Sequence, residues 1–301
     1  MISQKKLFQL IFLLILNGLF FFTSCKKSKT RNEQQTQITV TIEPLRYLTE
    51  QIGGPYLTVK TFVPKGLSPE TYEPTPQQLV DLQKSKIYFA IGELGFEKIW
   101  LKRLKESAPD TKFIRVDSEI KLIDTESESH KHTSHVGHHH GIDPHIWTTP
   151  QNMILMAQKI YEALIDIRPD LKDTFSTRYD QLKKEMEQTH VKLSDEFKAS
   201  GSQQAFLIYH PTLSYFAETY GLKQIVIEEQ GKSPAPSQLK KIIEECKKEN
   251  VQIIFVQQEF DQRNAEIIAR ETDTKIVRIN PLDYNWEKET WRIVRALTGK
   301  N

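Results

Sequence analysis

The chain has 301 residues, a formal net charge of +2, 27% charged residues and two cysteines. So small a net charge gives no strong pull on nucleic acid, and no basic-aromatic surface motif is present. Two cysteines cannot build a thiolate zinc site or a disulfide framework, so any metal must be held by His, Asp and Glu.

Residues 1–25 read as a secretory leader: Lys5 and Lys6 precede an apolar run from Leu7 to Phe22, which ends in Thr23-Ser24-Cys25. The run is a signal peptide rather than a membrane anchor. Residues 26–37, KKSKTRNEQQTQ, are all polar or charged and read as a flexible tether, with a basic start suited to anionic head groups. About 265 residues remain, enough for two lobes with separate cores.

The first lobe is expected over residues 38–169. Its strands are ITVTI (Ile38 to Ile42), LTVKTFV (Leu57 to Val63), KIYFAIG (Lys86 to Gly92) and KFIRV (Lys112 to Val116). Helical stretches stand between them at Leu45 to Gln51, Gln77 to Lys84 and Glu97 to Glu106, and Gln151 to Ile167 follows. Strands alternating with helices predict a parallel α/β sheet. Residues 170–200 contain no Gly or Pro and carry apolar residues mostly three or four apart, from Leu171 to Phe197. At 1.5 Å per residue such a helix reaches about 45 Å, longer than one lobe needs, and reads as a stiff connector. The second lobe, 201–301, restarts the pattern. AFLIYH (Ala205 to His210), KQIVIE (Lys223 to Glu228), VQIIFV (Val251 to Val256) and KIVRI (Lys275 to Ile279) are strands. The helices are Leu213 to Tyr220, Ser237 to Glu249, Asn264 to Glu271 and Glu287 to Leu297. No Gly-rich phosphate loop opens any helix, which argues against nucleotide binding.

Within the first lobe, between its fourth strand and its last helix, lies HKHTSHVGHHHGIDPHIW, which holds every one of the nine histidines except His190 and His210. Imidazole is the commonest ligand of borderline metals such as Zn²⁺. His130, His132, His135, His138, His139 and His140 stand among Gly and Ser with no apolar face to pack, so they read as a weak metal-collecting loop. His145 differs, because Asp143-Pro144 before it and Ile146-Trp147 after it predict ordered structure.

Ligands of open α/β sheets bind beyond the carboxyl ends of the strands. Glu70, held between Pro69 and Thr71-Tyr72, follows the second strand, and His210 ends AFLIYH. Glu228 and Glu229 end KQIVI, Gln257, Gln258 and Glu259 follow IIFV, and Asn280 and Asp283 follow IVRI. Glu70, His145 and His210 are the expected first ligands of a metal in the cleft between two lobes. Asn280, Asp283, Glu259 and Glu228 are candidates for a further ligand or for orienting the first three.

Taken in order, the cysteine after the leader, GLSPETYEPTP, the histidine loop ending in DPHIW, the long helix, YHPTLSYFAETYGL and IVRINPL resemble the metal-binding lipoproteins of bacterial zinc and manganese ABC importers. The resemblance implies a rigid interlobe helix, a lipid on Cys25, residence outside the cytoplasm at a membrane, and a permease partner. It implies a monomer that carries metal rather than an enzyme. His145 and His210 match two of the family's ligand positions. Glu70 stands where a histidine is usual, and Asn280 where an aspartate is usual. Two imidazoles with one carboxylate suit tetrahedral Zn²⁺, while the added oxygen moves preference toward Mn²⁺ or Fe²⁺. The histidine loop favours zinc, so Zn²⁺ is the expected cargo. A manganese or iron receptor and a periplasmic zinc buffer or adhesin are the alternatives. A secreted metallohydrolase is disfavoured, since no HExxH is present and His145 and His210 lie far apart in sequence.

Overall fold

A computed structural model describes residues 35–124, 141–201, 204–228 and 231–299. Cys25, the leader and His130, His132, His135, His138, His139 and His140 lie outside the described residues, as does Glu229.

Two four-stranded sheets, each wholly parallel, form the framework. The first joins β1 (Thr36–Val40), β2 (Leu57–Thr61), β3 (Ile87–Ala90) and β4 (Lys112–Arg115) in the order β2-β1-β3-β4. The second joins β5 (Ala205–Ile208), β6 (Lys223–Val226), β7 (Ile253–Gln257) and β8 (Lys275–Ile279) in the order β6-β5-β7-β8. In each, the first strand pairs with the second and third, so the order reverses beside it and a crevice opens at that point. β1 starts two residues earlier than expected and takes in the last two residues of the expected tether, because Thr36 and Gln37 continue the ladder opposite Leu57 and Thr58.

Successive side chains of a strand point to opposite faces, and the cores divide accordingly. Ile38, Val40, Ile87 and Phe89 join one cluster while Tyr88 and Ala90 join another. Phe206, Ile208 and Phe255 face one side of the second sheet, with Leu207, Ile254 and Val256 on the other. Burial on both faces explains why these strands read as nearly continuous apolar runs.

In the first half the helices are α1 (Glu43–Gly53), α2 (Pro76–Leu82), α3 (Gly95–Ser107) and α4 (Pro150–Ile167). Thr75 and Gln78 form a capping box at the start of α2, and Thr149 caps α4 by accepting from the Asn152 N–H, with Pro150 in the first turn. The long helix α5 (Lys172–Ser200) has 29 residues. Its place in the core is uneven. Phe175, Tyr179, Leu182 and Met186 belong to the first lobe's core, whereas Leu193 lies in the second, with Phe197 packed beside it. Arg178 of α5 also donates to the Gln51 and Ile52 carbonyls at the end of α1. One helix rooted in both cores resists bending, because each anchoring side chain such as Leu193 is worth roughly 2–5 kcal/mol against truncation to alanine. The second half adds α6 (Ser214–Tyr220), α7 (Pro236–Lys248), α8 (Arg263–Thr272) and α9 (Trp286–Thr298). Gly201, at φ 56°, takes the left-handed turn that ends α5.

The halves are also latched directly. Trp147 Nε1 donates to the Pro281 carbonyl, and Trp286 Nε1 donates to the Trp147 carbonyl, both at 2.9 Å. Tyr215 donates its hydroxyl proton to the Asp143 carbonyl at 2.8 Å and accepts from the Ile123 N–H at 3.1 Å. Among the described residues no helix is long and apolar enough to cross a membrane.

Candidate metal centre

The three residues expected to meet do so: Glu70, His145 and His210 each offer a ligand atom, and these atoms lie within 4.8 Å of one another. They reach that point from three different elements, separated by 75 and 65 positions in the chain. The two rings stand 5.1 Å apart, centroid to centroid, at 79° to each other.

His145 follows the β-bridge of Ile142 with Asp124 and opens the short turn Ile146–Thr148. Its backbone N–H donates to Asp143 Oδ1 at 2.8 Å, and its ring Nδ1 lies 2.8 Å from the same oxygen. The Asp143 carboxylate therefore fixes both backbone and ring, and it holds the proton on Nδ1. Burial pushes the Asp143 carboxyl up, but the adjacent His145, by charge and hydrogen bonding, and Ser214 outweigh it, leaving Asp143 below the usual carboxylate range.

His210 stands just past β5, and its Nδ1 lies 2.8 Å from Glu228 Oε1 just past β6. The Gln257 side chain accepts from the His210 N–H at 3.3 Å and donates to the His210 carbonyl at 2.6 Å and to Thr212 Oγ1 at 2.9 Å. The Phe260 ring stacks on the imidazole at 5.2 Å. Both rings are thus held in the tautomer that carries hydrogen on Nδ1 and a lone pair on Nε2, each oriented by a carboxylate.

Glu70 sits in the loop after β2, its N–H donating to Ser68 Oγ at 3.2 Å. Its Oε2 accepts from the Gly95 N–H at 3.2 Å, while Oε1 is buried with no hydrogen-bond partner. A buried carboxylate oxygen left unmatched costs desolvation that a cation beside it would recover. The donor set fits a divalent metal on that ground.

Glu70, His145 and His210 line a cavity of about 30 Å³, with Pro69, Trp147, Phe260, Pro281 and Leu282 among its walls. That is room for an ion with about one water, and far below the few hundred Å³ of an organic-ligand pocket. Among the four further candidates, Glu228 orients His210, and Glu259 lines the cavity outside the three-residue cluster. Asn280 Nδ2 donates to Asp283 Oδ2 at 3.3 Å, while Asn280 Oδ1 is buried without a hydrogen-bond partner. Asn280 lines a neighbouring recess with Glu43 and Lys65, and Pro281 and Leu282 close the cavity on that side. Sequence reasoning passed over Asp143 and Gly95. The first is detectable from its spacing two residues before a histidine, an Asx-turn arrangement; the second leaves no local signal.

Residues 38–292 match the family model of zinc-uptake complex component A, periplasmic (ZnuA). The zinc-binding lipoprotein AdcA of Streptococcus pneumoniae is 26% identical over 277 residues, covering 90% of this chain; the chain spans about half of AdcA, 54% of its length. The manganese ABC transporter substrate-binding lipoprotein ScaA of Streptococcus gordonii is 24% identical, covering 91% of this chain and 88% of its own. A crystal structure of ZnuA superposes with a TM-score of 0.81 at 31% identity over 88% of this chain and 99% of that one. A ZnuA deletion mutant solved with zinc bound gives 0.80 at 31% identity, covering 89% of this chain and 98% of that one. A family model spanning both lobes, and solved relatives with the same fold over nearly their whole length, lead to one conclusion: the chain belongs to the family of periplasmic zinc-uptake complex component A.

Proposed function

We propose that this protein is an extracytoplasmic receptor that binds Zn²⁺ through Glu70, His145 and His210 and delivers it to an ABC permease for uptake. The observation that carries the reading is the convergence of donors from Glu70, His145 and His210 within 4.8 Å, on a Glu70 carboxylate whose Oε1 is buried without a hydrogen-bond partner. Two imidazole nitrogens and one carboxylate oxygen suit tetrahedral zinc, with water in the fourth position. The metal is cargo, bound and released unchanged, and a cavity of about 30 Å³ leaves no room for an organic substrate beside it. The naming of AdcA and ZnuA as zinc proteins supports zinc. Glu70 in place of a third imidazole favours the second reading, manganese or iron, which ScaA's name parallels.

The same reading makes Cys25 the lipid attachment point, residues 26–35 a tether, and residues 130–140 a weak outer store. The protein acts as a monomer at the outer face of a membrane. Titration calorimetry of the purified protein with Zn²⁺, Mn²⁺ and Fe²⁺ tests the site: zinc binds one site most tightly, and that site is lost in H145A and H210A. Manganese binding more tightly than zinc overturns the choice of cargo. Growth of a deletion strain in chelator-treated medium, restored by added zinc, tests uptake; hydrolysis of ester or peptide probes by the loaded protein would contradict a transport role.

A further inference from the structure

Resting on the reading of Glu70 as a ligand, we infer that Gly95 is a positioning residue for metal binding. It is the first residue of α3, and it sets which oxygen of Glu70 faces the ion.

Gly95 is not in the left-handed region that makes glycine necessary for backbone reasons, as Gly54, Gly66 and Gly92 are. Its requirement is space. A Cβ at Gly95 would fall 2.5 Å from Glu70 Oε2, 3.0 Å from the Glu70 carbonyl oxygen and 3.3 Å from its Cα. The absence of that carbon lets the Gly95 N–H reach Oε2 at 3.2 Å. With Oε2 engaged there, Oε1 is left buried and unmatched on the carboxylate that meets the two imidazoles. The positive dipole end of α3 also favours a carboxylate at this place.

The first turn of α3 is itself immobilised. The Phe96 N–H donates to the Pro69 carbonyl at 2.9 Å, so the helix start is joined to the ligand loop at Glu70 and at the residue before it. Phe96 is fully buried against Phe62 and Tyr72. Glu97, also buried, accepts from the Ile91 and Gly92 N–H groups at 2.9 and 2.6 Å and from Thr41 Oγ1 at 2.5 Å. The carboxyl ends of β1 and β3 thus hold the turn that holds Glu70. Glu70 lies on an exposed loop, yet its reach is fixed from the sheet.

A double-mutant cycle on the full-length protein tests this, with zinc affinity measured by competition against a chelator for wild type, G95A, E70A and G95A/E70A. Gly95→Ala weakens zinc binding by about 10–100-fold when Glu70 is present, the usual size for loss of a group that orients a ligand. In the E70A background the same change alters affinity by no more than about twofold, since there is no carboxylate left to orient. Cobalt(II) loading gives a reading that general destabilisation does not move: the ligand-field bands of G95A shift from wild type. Equal losses in both backgrounds, or superimposable cobalt spectra, overturn the inference. If G95A folds only when Glu70 is also replaced, the steric contact is supported; failure to fold in both backgrounds shows that Gly95 serves the helix start alone and overturns it. A wild-type protein that binds no metal, or E70A binding as tightly as wild type, refutes instead the reading of Glu70 as a ligand.

Discussion

Replacing Glu228 with glutamine isolates what a buried charge behind a ligand contributes. Glu228 is 5% exposed and its Oε1 lies 2.8 Å from His210 Nδ1. Glutamine keeps the size and an oxygen acceptor, so the His210 tautomer survives and only the negative charge is removed. With the imidazole ring and a metal–nitrogen bond of about 2.0 Å added, that charge acts on the ion across about 7 Å. A divalent ion and one negative charge at that separation attract by about 5 kcal/mol at an effective dielectric constant of about 20. This is a ceiling, because solvent reorganises when the charge is lost. Substitutions behind metal-bound histidines lower affinity about 10–100-fold, roughly 1.4–2.7 kcal/mol. Zinc affinity of E228Q at pH 7.5, by chelator competition, is therefore expected to fall by that factor with the number of sites unchanged. An affinity within about threefold of wild type would show that Glu228 does not act on the ion through His210.

Other consequences can be checked independently. Deleting residues 130–140 removes the weak class of zinc sites in calorimetry and leaves the tight one; loss of the tight site would end the idea of two tiers. Burial pushes the Glu97 carboxyl up from 4.5 to about 7, against the hydrogen bonds from Thr41, Gly92 and Ile91 that lower it. Between those values the folded protein keeps a proton that the unfolded chain has released, so stability falls as pH rises from about 5 to 7, by up to about 3 kcal/mol from this group. Urea titrations at pH 5 and pH 8 should show a smaller drop for E97Q than for wild type, and equal drops would be the contrary result. Trp147→Phe keeps most of the buried ring but strands the Pro281 carbonyl, costing about 1–3 kcal/mol, with a thermal midpoint several degrees lower as the check. An unchanged midpoint would mean that this latch contributes nothing.

Much of the fold is legible because buried parallel strands must be apolar on both faces and helices must show a stripe. AFLIYH and VQIIFV announce themselves in that way, as does the Pro150-led helix after Thr149. The long helix was visible too, but as a connector; its apolar stripe does not reveal that Phe175 through Met186 belong to the first lobe's core. Glu70, His145 and His210 could be picked out because polar residues at strand ends, flanked by Pro or aromatic residues, have few structural reasons to be there. Asn280 follows the same rule: its backbone N–H and amide nitrogen donate to Glu289 and Asp283, and its Oδ1 is buried without a partner.

What the sequence alone determined is chemical: which side chains can bind a metal, and that cysteine is not among them. Local pattern carries this, since strand ends and histidine content are properties of short stretches. Which oxygen of Glu70 is tied to the Gly95 N–H, and which carboxylate stands behind each imidazole, was decided only by tertiary structure. Those facts depend on contacts such as Gly95 with Glu70 and His210 with Glu228, between segments whose approach is set by how two sheets and their helices pack.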